Sequence, residues 1–82
     1  MYETINEPIK VLVSFGLNKM RPLVFEWRGK RYIVNKVNLV HCQKAGNDKL
    51  YHFSVSDEAN YFKLSFNTRD FNWQLEELYY DG

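Results

Sequence analysis

Apolar side chains in this chain recur at every second residue, and that period decides what the chain can fold into. Ile9, Val11, Val13 and Phe15 alternate with Lys10, Leu12 and Ser14. Leu23, Phe25 and Trp27 repeat the pattern, as do Tyr51, Phe53 and Val55, then Phe62, Leu64 and Phe66, then Phe71, Trp73 and Leu75. A period of two places such residues on one face of an extended strand, whereas a helix requires a period near 3.6. No stretch shows a convincing helical period. The residue types agree, since aromatics reach 17% and fit a pleated, half-buried surface.

Turn formers separate the runs. Gly16-Leu17-Asn18, Arg28-Gly29-Lys30-Arg31, Ala45-Gly46-Asn47, Asp57–Asn60 and Asn67–Asp70 all carry turn chemistry. A Gly29-Lys30 loop sets Trp27 opposite Tyr32 and Phe25 opposite Val34. The third strand is long, about residues 31–42, and its pattern slips from even (Tyr32, Val34) to odd (Val37, Leu39). An extra residue at Asn35-Lys36 restores one face, as a β-bulge does, and curls the sheet. Turns centred at 58–59 and 68–69 align Val55 with Phe62 and Leu75, Phe53 with Leu64 and Trp73, and Tyr51 with Phe66 and Phe71. The expected fold is all-β: an antiparallel meander of about six strands, a strongly curled sheet or small, partly open barrel. At 82 residues it is one domain. Residues 1–8 are polar and expected to be loose, and residues 76–82 to form a frayed end or a final bend.

Several functional classes fall away. The single cysteine, Cys42, gives no intramolecular disulfide and nothing that argues for export. No run of ~18 apolar residues exists, so no transmembrane helix or membrane partner is expected. The N-terminus is unlike a signal peptide, and a cytoplasmic location follows as the expectation.

Chemistry has few footholds. His41, Cys42 and His52 are residue types that bind zinc. A two-residue Gly46-Asn47 loop places His41 opposite His52 on one face. A three-residue Ala45-Gly46-Asn47 loop instead pairs Leu39 with Phe53 and Val37 with Val55, burying apolar groups together. The second register is favoured, and it sends the histidines to opposite faces, so no metal site is expected. Cys42 and His41 are adjacent on a strand and point apart, which denies them a shared proton. The carboxylate pairs Asp57-Glu58 and Glu76-Glu77 fall in a turn and at the chain end. No catalytic residue, cofactor or small-molecule ligand is implied, and the chain reads as a non-enzyme.

The charge distribution is more informative. Residues 10–49 hold nine Lys/Arg against Glu26 and Asp48, a balance of +7; the remainder holds Lys63 and Arg69 against eight acids, a balance of −6. Either the two segments pair internally or the basic one meets a polar partner. The candidate phosphate-facing set is Arg28, Lys30, Arg31, Lys36, Lys44 and Lys49, with Tyr61 and Tyr79 as candidate stacking rings. The rival class is protein contact or homodimerisation. There, Ile9–Phe15 forms an exposed sheet edge presenting Val11 and Val13, and Val24 with Ile33 extends an apolar outer patch. Protein interaction or self-assembly is the preferred reading, with nucleic acid as the alternative partner.

The stretch Pro22-Leu23-Val24-Phe25-Glu26-Trp27-Arg28-Gly29-Lys30-Arg31-Tyr32-Ile33-Val34 resembles an uncharacterised family of small bacterial all-β domains. Their pattern runs Pro, Phe-x-Trp-Arg-Gly, Tyr-x-Val, then a further Tyr-x-Val strand, an aromatic strand and a closing Trp-x-Leu. Tyr51-His52-Phe53-Ser54-Val55 and Trp73-Gln74-Leu75 stand in the later places. The likeness covers about residues 22–81. It departs at His41-Cys42, where a Trp is common, and at the extra strand Ile9–Phe15. Some such domains are appended to proteins resembling translesion DNA polymerases, so the resemblance implies an accessory role in DNA repair. It carries no functional residues over to this chain.

Overall fold

The alternating runs become strands. A computed structural model describes residues 1–80. Among them lie β1 (Tyr2–Gly16), β2 (Lys19–Trp27), β3 (Lys30–Ile33), β4 (Lys36–Ala45), β5 (Asp48–Ser56), β6 (Asn60–Asn67) and β7 (Asn72–Tyr80), and no helix. None therefore is long and apolar enough to cross a membrane. The fold is all-β, with every pairing antiparallel. Two meanders, β1-β2-β3 and β4-β5-β6-β7, meet where β1 pairs β7, giving the order β3-β2-β1-β7-β6-β5-β4. β1 serves both: Tyr2–Ile9 pairs with β7 and Lys10–Gly16 with β2.

The connection between β3 and β4 forces the sheet to curl. These strands lie at opposite ends of the order, and a flat sheet would set them six spacings of ~4.8 Å apart, roughly 29 Å. Only Val34 and Asn35 join them, a reach of three Cα steps or roughly 11 Å. The edges therefore approach one another at this point. Val34 N–H donates to the Leu23 carbonyl (2.9 Å) and Asn35 N–H to the Ser56 carbonyl (2.9 Å). Elsewhere among the described residues the two edges do not pair, and the sheet stays open.

The core lies inside the curl. Phe25 on β2 stacks on Tyr32 (centroids 5.0 Å) and meets Phe62 of β6 edge-on (5.0 Å). Phe53, Val55, Leu64, Leu75 and Trp73 fill the rest. Each ring adds area burial that a chain this short needs.

Several expectations are corrected in detail. The long third strand is two, because the chain leaves β2 for β5 at Val34–Asn35; the slip is a crossover, and the bulge lies at Asn38, between Val37 and Leu39. The tip of the β2–β3 hairpin is Arg28-Gly29, both with positive φ (52° and 76°), as a type I′ turn demands. That shift pairs Phe25 with Tyr32 and Trp27 with Lys30. The β5–β6 alignment is as expected: Val55–Phe62, Phe53–Leu64, Tyr51–Phe66. The next row differs by two or more residues, because the β6–β7 loop is Thr68–Phe71. Leu64 meets Leu75 and Phe66 meets Trp73, while Phe71 leaves the core.

The first and last described segments, Tyr2–Gly16 and Asn72–Tyr80, are strand. Bulges absorb their irregular patterns. Glu76 is the extra residue between Leu75 and Glu77, which returns Leu78 to the core side. Asn6, at φ 51°, does the same in β1. Residues 2–4 thus pair with Glu77–Tyr79. The part of the expected frayed end at residues 81–82 lies outside the described residues.

Candidate functional site

The crossover closes one half of the molecule and opens the other. β3 covers β2 only over Val24–Trp27, so Lys19–Pro22 keeps a free edge. Among the described residues β4 pairs on one side only, which leaves its second edge free along its length. Below the Val34–Asn35 apex these edges diverge into a groove of about 920 Å³. Its walls and floor are Phe15, Met20, Val37, Val40, Tyr51 and Phe66, above buried Phe53. Lys19, Arg21 and Thr68 stand at its margin.

The surrounding tips carry large apolar groups in water. Leu17 is 96% exposed, Phe15 73% and Phe71 74%. Phe71 sits at φ 58°, a left-handed conformation that is a genuine outlier for a bulky residue. Its loop holds it there. Asn67 Oδ1 accepts from Arg69 N–H (2.9 Å) and Asp70 Oδ1 from Asn72 N–H (3.2 Å). Thr68 Oγ1 accepts from Lys49 N–H (2.9 Å) and donates to the Lys49 carbonyl (3.1 Å). Strain of this kind persists only where the surroundings over-determine it, and it concentrates at working surfaces.

The opposite end is sealed. Trp27 Nε1 donates to Glu7 Oε1 (2.9 Å), and Arg28 forks onto the same carboxylate through Nε (3.1 Å) and Nη2 (2.6 Å). The guanidinium also lies 4.6 Å from the Trp27 ring centre. Hydrogen bonds from Arg28 and then Trp27 hold the Glu7 carboxyl below the ordinary glutamate range, and the carboxylate in turn raises Arg28. Arg28 is thus a structural clamp between β2 and β1, which corrects its place in a free phosphate-facing set.

The rest of that set does not form one surface. Lys30 and Arg31 sit at the sealed end beside the Arg28-Gly29 turn. Lys44 and Lys49 face each other across the β4–β5 tip, tied through Thr68 to the groove end. The nine residues of β2 set the Lys30-Arg31 end roughly 25–30 Å from the Lys19 end of that strand, at ~3.3 Å per residue. Lys36 begins β4 beside the apex. The groove margin instead carries Lys19 and Arg21, neither of which belongs to the expected set.

The apolar candidates divide. Val11 and Val13 pack against the core from the inner face. The lower half of β1 does have a single neighbour, β2, but it offers these side chains to the interior. Val24 pairs with both Leu12 and Ile33, so a three-residue row crosses the outer face; Leu12 is 59% and Ile33 65% exposed.

Tyr61 and Tyr79 are cross-strand partners, and Tyr79 meets Tyr2 at 5.1 Å. The Tyr79 and Tyr2 hydroxyls donate to Glu77 (2.8 and 2.9 Å). Tyr79 first, and then Tyr2, hold that carboxyl below its ordinary range, and Glu77 raises the Tyr79 phenol. A carboxylate at the centre of this row repels phosphate.

His41 and His52 share a face after all, with ring centres 6.1 Å apart. The two-residue Gly46-Asn47 loop forms because the Asn38 bulge lets Val37 meet Val55 anyway; Leu39 faces Ser54 and Val40 takes the place opposite Phe53. His52 Nδ1 lies 2.8 Å from Glu76 Oε2. Exposed Cys42 falls on the other face. Among the described residues no three His, Cys, Asp or Glu side chains gather as a metal-holding group.

The chain matches no protein-family model, no curated protein and no solved structure.

Proposed function

We propose that this protein is a small non-enzymatic interaction module whose working surface is the open end of the curled sheet. One observation carries the reading: Phe15, Leu17 and Phe71 stand in water around an apolar groove, while the other end of the same fold is closed by packed rings and an ion pair. Exposed apolar groups gathered around a concavity favour a protein partner. Nucleic acid is the weaker partner, because the basic set is split between two ends and Arg28 is engaged.

Site-specific photo-crosslinking in the cells that make the protein tests this. A photoreactive phenylalanine analogue in place of Leu17 should form protein adducts that the same group in place of Tyr61 does not. Adducts from position 61 alone, or nucleic-acid adducts dominating at 17, would overturn the reading. Light scattering on the purified chain separates self-assembly from a foreign partner.

A further inference from the structure

We propose that the groove takes an extended peptide segment of a partner protein, with apolar side chains at alternate positions and acidic ones between, added as a strand to the free edge of β4 facing β2. The inference rests on the open end being the docking surface. It adds what the partner must look like.

The backbone argues for an extended partner. Two unpaired strand edges flank the groove, β4 on one side and Lys19–Pro22 of β2 on the other. Each leaves amide and carbonyl groups that an added strand satisfies. A segment of about six residues, roughly 20 Å long, spans the open part.

Alternation follows from which side chains face which way. On the inner side the flanking strands present Met20 and Pro22 from β2 and Val37 and Val40 from β4, above Phe53 and Phe66. Every second partner residue entering here meets a mainly apolar surface, short of Lys44 and Lys49 at the β4–β5 tip. On the outer side β2 presents Lys19 and Arg21, paired across to Gly16 and Ser14 of β1 with no acid opposite. Lys44 and Lys49 lie on the inner face at the β4–β5 tip, so the outward partner residues meet the two β2 cations, which carry no ion pair among the described residues. Acidic side chains complement them, as opposite charges on neighbouring strands do.

A second copy on the β4 edge is matched less well than an acidic peptide, because β4 brings two lysines, Lys36 and Lys44, and no acid to the pairing.

The experiment titrates the purified protein into fluorescently labelled heptapeptides at low salt and reads anisotropy. One peptide alternates glutamate with valine and isoleucine; its counterpart replaces glutamate by lysine; a third is the glutamate peptide N-methylated at alternate backbone nitrogens, prepared in both phases. The glutamate peptide should bind at least about tenfold more tightly than the lysine one. One N-methyl phase should weaken it by at least about tenfold, since a methyl removes the ladder donor and leaves the side chains intact. The outward double variant Lys19→Glu/Arg21→Glu should abolish the preference for glutamate while keeping the wild-type circular dichroism.

Equal binding of all N-methylated forms, or equal binding of both charge types, overturns the proposal. So does an absence of binding by every peptide. A wild-type dimer that Val40→Lys converts to monomer also overturns it, in favour of a second copy. Protein adducts at position 17 without peptide binding sink strand addition while the docking end stands; loss of both sinks the two readings together.

Discussion

The two ends of this molecule solve the same problem in opposite ways. Both must finish a curled sheet whose edges approach at Val34–Asn35. At the sealed end Phe25, Tyr32 and Phe62 stack across the gap, and Glu7 ties β1 to Trp27 and Arg28. At the open end comparable rings, Phe15, Tyr51 and Phe66, line the gap and none spans it. Stability alone would favour sealing both ends, because a 10-kDa chain has little core to spare. The contrast assigns stability to one end and leaves the other as a surface.

The largest expected difference is energetic. Phe25→Ala removes a fully buried ring packed on Tyr32 and Phe62 and should cost about 3–5 kcal/mol, a large share of a total of about 5–15 kcal/mol. Phe15→Ala, at the open end, should change the urea midpoint by no more than about 0.5 kcal/mol in equivalent stability. Similar losses from both would erase the distinction between the ends.

Turn chemistry gives the next effect. Gly46 sits at φ 66° with open space around it, so Gly46→Ala meets backbone strain and no steric clash. A loss of about 1 kcal/mol is expected. Phe71→Asn should act the other way, gaining roughly 0.5–1 kcal/mol by relieving a left-handed phenylalanine, while weakening partner binding at the open end. Unchanged stability would mean that the Phe66–Phe71 contact at 6.0 Å offsets the strain.

How much of this could be read in the sequence divides along a physical line. Strand identity and the β5–β6 register follow from local alternation and a short turn, both encoded within a dozen residues. The split of the third strand does not, because Val34–Asn35 changes partners and partner choice is a tertiary event. Bulges at Asn6, Asn38 and Glu76 were equally hidden: each looks like a broken pattern until a neighbouring strand supplies the reference. The groove was invisible for the same reason, since its walls come from β1, β2, β4, β5 and β6. The Glu7–Arg28 clamp joins residues far apart in sequence whose charges sum to nothing unusual, and their pairing appears only once β1 and β2 are neighbours.

Acid should loosen the sealed end selectively, by the smallest of these effects. The Glu7 carboxyl titrates below its ordinary range because Arg28 and then Trp27 donate to its ionised form. In the unfolded chain it titrates near ~4.3. Above that value both states are ionised and the clamp contributes in full. As pH falls the unfolded chain takes up its proton first, so stability declines until the folded carboxyl is protonated too. Glu77, lowered by Tyr79 and Tyr2, carries the same sign. Urea midpoints measured from about pH 5 down to about pH 3 should therefore fall in the wild type and fall less steeply in Glu7→Gln. Exchange of the Trp27 indole proton should quicken over the same interval, while variants at Phe15 or Leu17 keep the wild-type slope. The salt response is the discriminator: Glu7 and Arg28 are both accessible to ions, so added salt should shrink the difference between wild type and Glu7→Gln. Parallel slopes at low salt would show that the sealed end is held by its rings alone, with Glu7 contributing only the orientation of Trp27.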